Sequence, residues 1–176
     1  PRDNLTEVAS AAQSVGMLND VVASALEQED HLCDAALVGV HDWLTDESRV
    51  PWRHPLTACC SIVLRHIDTE ENIIFPRLLV RSPQNAELIG ELRAEHLTIR
   101  DALNNIEDLV ICGQRQAART ALAQLRSLLS THRNTEQQLV GAITECMTDP
   151  AEVGYLFHSG YFRGRFVPFA GSVSPP

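Results

Sequence analysis

Two His-x-x-x-Glu pairs, His66 with Glu70 and His132 with Glu136, are the residues of this chain best placed to do chemistry. On an α-helix, positions i and i+4 lie about 40° apart on one face, so each pair aims an imidazole nitrogen and a carboxylate at one point. Imidazole with carboxylate suits iron, manganese or zinc, and a carboxylate can also bridge two cations. One such pair alone is an ordinary solvated contact on a helix surface. Two pairs, both set in apolar stripes, point instead to a dinuclear metal centre inside a helical bundle.

Such a centre needs long amphipathic helices to hold its ligands, and the chain supplies them. The first is expected over Met17 to Thr45 and is ended by the polar stretch DESRVPWRHP. A second begins near Pro55, a favourable first-turn residue, and reaches about Leu79, with Pro76 expected to kink or end it. Its inward stripe is Leu56, Cys59, Val63, His66, Glu70 and Ile73. After the turn RSPQNA, a third helix is expected over Ala86 to Cys112. Ile89, Leu92, His96, Ile99, Leu103, Ile106 and Val110 form its seam, and Gly113 stops it. The fourth, Gln116 to Met147, carries Ala118, Leu122, Leu125, Leu129, His132, Glu136, Leu139, Ile143 and Met147 on one face, and Asp149-Pro150 closes it. The short connections predict an all-α, up-down-up-down four-helix bundle over residues 17–148. An N-terminal segment, residues 1–16, precedes it, and a C-terminal tail, residues 149–176, follows. The tail holds six of the nine aromatics among Gly and Pro residues. It either folds back over the bundle or forms a docking or self-association surface.

Composition removes several classes of function. A net charge of −9 repels nucleic acid and anionic membranes alike, and no apolar stretch approaches membrane-spanning length. The opening PRDNLTEVAS lacks the basic and apolar regions of a signal peptide. Five cysteines form an odd set without a CxxC spacing, which fits buried thiols in a reduced, cytoplasmic protein. Cys59 and Cys60 are vicinal, so redox sensing stays open. There is no phosphate loop and no Ser/His/Asp nucleophile arrangement.

Ligands of one centre must share one layer of the bundle. Residues equally far from a connecting turn lie side by side in an antiparallel pair, and this matches His66 with His96, His96 with His132, and His31 with His66. His41 lies about seven residues nearer its turn, roughly 10 Å out of the layer. Height therefore selects His31. Helix phase disagrees, because the stripe Leu18, Val22, Leu26, Cys33, Leu37, Val40 and Leu44 points away from His31 and passes closer to His41. Strict metal geometry favours His31. Glu71 points about 100° from Glu70, toward second-sphere contacts or solvent. Glu27 has the same two readings. His54 reads as a helix-entry residue and His158 as part of the tail's packing.

With these residues in view, the chain resembles the hemerythrin (HHE cation-binding) family in its bacterial branch. The resemblance rests on EDH at Glu29 to His31, HIDTEENIIFP at His66 to Pro76, EH at Glu95-His96 and HRNTE at His132 to Glu136, and covers about residues 25 to 147. It implies two non-haem iron ions with an oxo or hydroxo bridge. By position, His31 and His66 would bind one ion, His96 and His132 the other, and Glu70 and Glu136 would bridge them. Zinc or manganese is the alternative, and two zincs with an open position would suit hydrolysis. Ferritin-like di-iron proteins use Glu-x-x-His, a different spacing. Arg100 stands where oxygen-carrying members have a second third-helix His, and a guanidinium cannot ligate. It is expected to attract an anion or peroxide, or to pair with Glu95 or Asp101. The resemblance implies binding or sensing of O2, peroxide, NO or iron status. Catalase-like or NO-detoxifying catalysis and iron storage or delivery are its alternatives. Expected partners are a small diatomic or peroxide ligand and, through the tail, a protein or a second copy.

Overall fold

The computed structural model describes Glu27, residues 30–46 and residues 53–146, and among the described residues there is no strand. The first helix, α1, is described over residues 30–45. Helix α2 spans Arg53–Thr69, a π-helical turn Glu70–Ile74 follows, and α3 spans Phe75–Arg81. A single 3-10 turn, Pro83–Asn85, leads to α4, Ala86–Ile111; then come α5, Arg115–Glu136, and α6, Val140–Cys146. The expected N-terminal segment, most of residues 17–29 and the aromatic tail lie outside the described residues.

The sequence pattern accounts for these elements and for two departures. In α4 the buried residues are Ile89, Leu92, His96, Ile99, Leu103, Ile106 and Val110, the seam that a 3.6-residue period dictates. Gly113 ends α4 at φ 72°. Its N–H bonds the Val110 carbonyl, and the Gln114 N–H bonds that of Leu109. These paired bonds satisfy the last carbonyls of the helix.

The first departure is at Pro76. A proline ring clashes with the carbonyl four residues back and offers no N–H. The chain passes it through the wider π-turn, in which the Phe75 N–H reaches the Glu70 carbonyl, and the helix resumes to Arg81. The extra residue moves the inner face on by one position. Ile74, Phe75 and Leu78 are therefore buried, and Ile73 is only half-buried. The second departure is that the expected fourth helix is two. After Glu136 the Gln138 and Leu139 N–H groups bond the Thr135 and Glu136 carbonyls. This tighter bonding of three-residue span separates α5 from α6 and keeps Leu139 and Ile143 buried.

Burial arranges the apolar residues in two clusters. The larger draws on α1 (Leu37, Val40, Leu44), α2 (Leu56, Cys59, Val63), α4 (Ile99, Leu103, Ile106) and α5 (Leu122, Leu125, Leu129). The smaller holds Ile74, Phe75, Leu78, Ile89, Leu92, Leu139 and Ile143. Along α2, α4 and α5, the residues between them are His66, Glu70, His96, His132 and Glu136, all buried. A polar layer thus divides the core. Polar contacts fix the directions of the neighbouring helices. The Arg115 guanidinium donates to the backbone carbonyl of Asp46 at one end of α5, and Arg133 pairs with the carboxylates of Asp30 and Asp34 at the other, so α1 and α5 run antiparallel. No helix among the described residues is long and apolar enough to cross a membrane, and Cys59, Cys60 and Cys112 are free thiols.

Candidate metal centre

Three helices deliver the polar layer. His66 comes from the last turn of α2, Glu70 from the first residue of the π-turn, His96 from the middle of α4, and His132 and Glu136 from the last two turns of α5. Ligand atoms of His66, Glu70, His132 and Glu136 all lie within 4.8 Å of one another. Glu70 is at the centre. Its Oε2 is 2.8 Å from His96 Nε2, 3.5 Å from His132 Nε2 and 3.6 Å from His66 Nε2. Glu136 Oε2 lies 4.0 Å from His66 Nε2. The rings pack on one another: His96 and His132 centroids are 4.7 Å apart, and His66 meets His132 edge-on at 5.9 Å. Phe75, fully buried, stacks on His96 at 5.7 Å with planes 8° apart.

The protons of two imidazoles are assigned by what stands behind them. His96 Nδ1 is 2.9 Å from Glu71 Oε1, and His132 Nδ1 is 3.0 Å from Glu95 Oε2. A carboxylate only accepts, so each Nδ1 donates its N–H. Each Nε2 then faces Glu70 Oε2; at the 2.8 Å of His96 a proton lies between the two in the absence of a cation, and its loss frees the Nε2 lone pair for a metal. Thr135 Oγ1 donates to Glu95 Oε1 at 3.1 Å and steadies that carboxylate.

Two buried carboxylates this close cannot both keep their charge in the absence of a cation. Burial pushes Glu70 up, but the charge of His66, the nearby His132 and the hydrogen bond with His96 outweigh it and hold the carboxyl well below the usual range. Glu136 goes the other way, pushed up to about 8 by burial and then by the Glu70 charge. Glu70 Oε1 and His132 Nε2 are buried without a hydrogen-bond partner. Such orphans are costly unless something satisfies them. Lone pairs and carboxylate oxygens that converge in a dry layer fit a cation, so the residues present suit a metal ion.

The structure also reports on the remaining sequence expectations. His31 and His41 are both exposed, so neither joins the layer. Helix phase decides this: burying Cys33, Leu37, Val40 and Leu44 turns both imidazoles outward, whatever their height. An α1 side chain that does act on the site is Asp30, half-buried and 2.7 Å from Arg133 Nε, whose charge is felt by His66 and Glu136; sequence reasoning missed it. Burial raises its carboxyl, opposed by Arg133 and by the charge of His66. Glu27 is exposed. Arg100 pairs with neither Glu95 nor Asp101; its Nη2 lies 2.8 Å from Asp68 Oδ1 and 3.9 Å from Glu71 Oε2. Glu95 was missed as well, although the register that sets His96 beside His132 also brings its neighbour across to α5. His158 and the tail lie outside the described residues.

The protein family whose model matches the chain is described as the hemerythrin HHE cation binding domain, over residues 53–143. No curated protein and no solved structure matches the chain.

Proposed function

Because the chain belongs to the hemerythrin HHE cation-binding family, whose model spans just over half of it, we propose that the buried His/Glu layer holds two non-haem iron ions in an up-down-up-down four-helix bundle and that the protein binds or senses O2, peroxide or NO there. The observation that carries this reading is the convergence of three imidazole Nε2 atoms on Glu70 Oε2, with Glu136 beside them. His66, Glu70, His96, His132 and Glu136 would hold the metal. His31, the first-helix ligand that the family resemblance implies, is exposed in this structure.

Iron bound there supplies a one-electron donor with affinity for O2, peroxide and NO. The side chains of the chain do the rest. Glu71 and Glu95 hold the Nδ1 protons of His96 and His132, which leaves Nε2 of each ring free to ligate. The apolar clusters on either side keep water from the layer and strengthen every charge interaction within it. Glu136 gives up its proton as a cation enters, because metal ligands must be deprotonated. Free thiols fit a reducing compartment, and a cytoplasmic setting belongs to the same proposal, as does a signalling contact through the aromatic tail.

Metal analysis with an optical spectrum of the purified protein tests the proposal. Two irons per chain with oxo-bridge charge-transfer bands are expected, and His66→Ala and Glu136→Ala should each lose metal. Retention of both irons by both variants would overturn the ligand assignment. Steady O2 evolution from peroxide, in place of one stoichiometric oxidation, would replace sensing with catalysis.

A further inference from the structure

The π-turn at Glu70–Ile74 does more than carry the helix past Pro76. In an uninterrupted α-helix, consecutive side chains diverge by about 100°, so Glu70 and Glu71 should not share a target. In this structure they grip opposite nitrogens of one ring. Glu70 Oε2 is 2.8 Å from His96 Nε2, and Glu71 Oε1 is 2.9 Å from His96 Nδ1. The turn that brings this about starts at Glu70 itself, and such turns recur at functional sites. Behind Glu71 stands Arg100, whose Nη2 lies 3.9 Å from Glu71 Oε2 and is tied to Asp68 at 2.8 Å. Asp68 and Glu71 belong to the α2 side and Arg100 and His96 to α4, so the chain of contacts also joins the two helices. His96 is fully buried, while Glu71 and Arg100 are each about one-third exposed. The network therefore runs from the surface to the centre.

We propose that Glu71 is a positioning residue of the metal centre and that Arg100 tunes it. Glu71 fixes His96 as the Nδ1–H tautomer and makes its Nε2 a stronger donor to the metal. Arg100 offsets part of the Glu71 charge and so moderates that effect. This rests on the proposed metal reading of the layer. It gives Arg100 a role that involves no ligand of its own, since its guanidinium is turned onto Asp68 and Glu71.

The two residues should act with opposite signs. A carboxylate hydrogen-bonded to a ligating imidazole raises ligand basicity and so favours the more highly charged metal. Glu71→Gln keeps an acceptor for Nδ1–H but removes the charge, and should raise the reduction potential of the iron-loaded protein. Arg100→Gln strips Glu71 of its counter-charge and should lower it. Glu71→Ala should weaken Fe2+ binding about 10–100-fold.

The test is Fe2+ titration followed by a redox titration on the full chain, for wild type, Glu71→Gln, Glu71→Ala, Arg100→Gln and His66→Ala, with thermal melts of the metal-free forms. Opposite shifts for Glu71→Gln and Arg100→Gln support the proposal. It is overturned if the Glu71 variants bind iron and titrate like wild type, or if they lose only melting temperature, as a simple α2–α4 tie would. Should Glu71→Ala fail to fold, the two Gln variants still decide the sign. Wild type that takes up no iron overturns the metal reading as a whole, whereas wild type that loads beside unchanged Glu71 and Arg100 variants overturns this inference alone.

Discussion

Glu136 is the residue whose chemistry most depends on whether a cation is present. Its ordinary value of 4.5 rises to about 8 in the fold, so the folded chain binds this proton more tightly than the unfolded chain does. The stability it contributes is complete below about 4.5 and is lost as pH rises through about 8. Glu70, held down, has the opposite sign: its contribution is present above 4.5 and lost as pH falls. The metal-free protein should therefore melt at lower temperature as pH rises from about 5 to 8, and the metal-loaded form should not. Because binding displaces the Glu136 proton, metal affinity should weaken as pH falls below about 8, roughly tenfold per unit. Calorimetry in buffers of different ionisation heat would count that proton. At this scale the i,i+4 spacing makes the convergence of His66 with Glu70 and of His132 with Glu136 legible in the sequence. The α1 side is less so. Heights along a bundle can be counted from turns, but the rotation of α1 is set by which apolar residues find the core, and Cys33, Leu37 and Val40 outweigh one histidine.

Among the elements, the π-turn and the glycine stop of α4 make distinct demands. Gly113 sits at φ 72° with open space where a Cβ would go. Gly113→Ala should therefore cost about 1–2 kcal/mol from backbone strain alone, measurable by denaturant unfolding at unchanged slope. The π-turn can be removed by deleting Asn72, which is exposed. That would return Pro76 to the interior of a continuous α-helix, at a cost of about 3 kcal/mol. Adding Pro76→Ala should restore the melting temperature, since the deletion leaves the apolar faces before and after the turn aligned. It should not restore iron affinity, because Glu71 would swing off His96. Recovery of both would show that the turn serves Pro76 only. A 3.6-residue period read from sequence has no means of showing such a turn; Pro76 and the slip from Ile73 to Ile74 are its traces. The break after Glu136 has no glycine or proline to announce it, and the periodicity simply runs through.

For the whole molecule, the all-helical class and the inward faces are the most legible features, since long stripes such as Ile89 to Val110 leave little choice of inward face; the number of helices is less so, because the expected second and fourth are each divided. A contact with a protein or a second copy through the tail rests on residues 149–176, outside the described residues, and stays a proposal. The division of the core is less expected. Stripes from Leu56, Ile99 and Leu122 read as continuous, yet His66, His96 and His132 interrupt them at one level, with the Phe75 and Leu139 cluster on the far side.

That interruption has a consequence for cooperativity. Dispersion and burial unite each apolar cluster internally, but across the layer the contacts are imidazoles and carboxylates that share a single proton budget. A cation between them would couple the two halves through bonds from α2, α4 and α5 at once. Without one, backbone amides near Leu78, Leu92 and Ile143 should exchange with deuterium through openings independent of those near Val63, Ile106 and Leu125. Loading the centre should merge the two sets into one unit with a common opening free energy. Equal protection on both sides in the metal-free protein would mean that the seam is not a boundary at all.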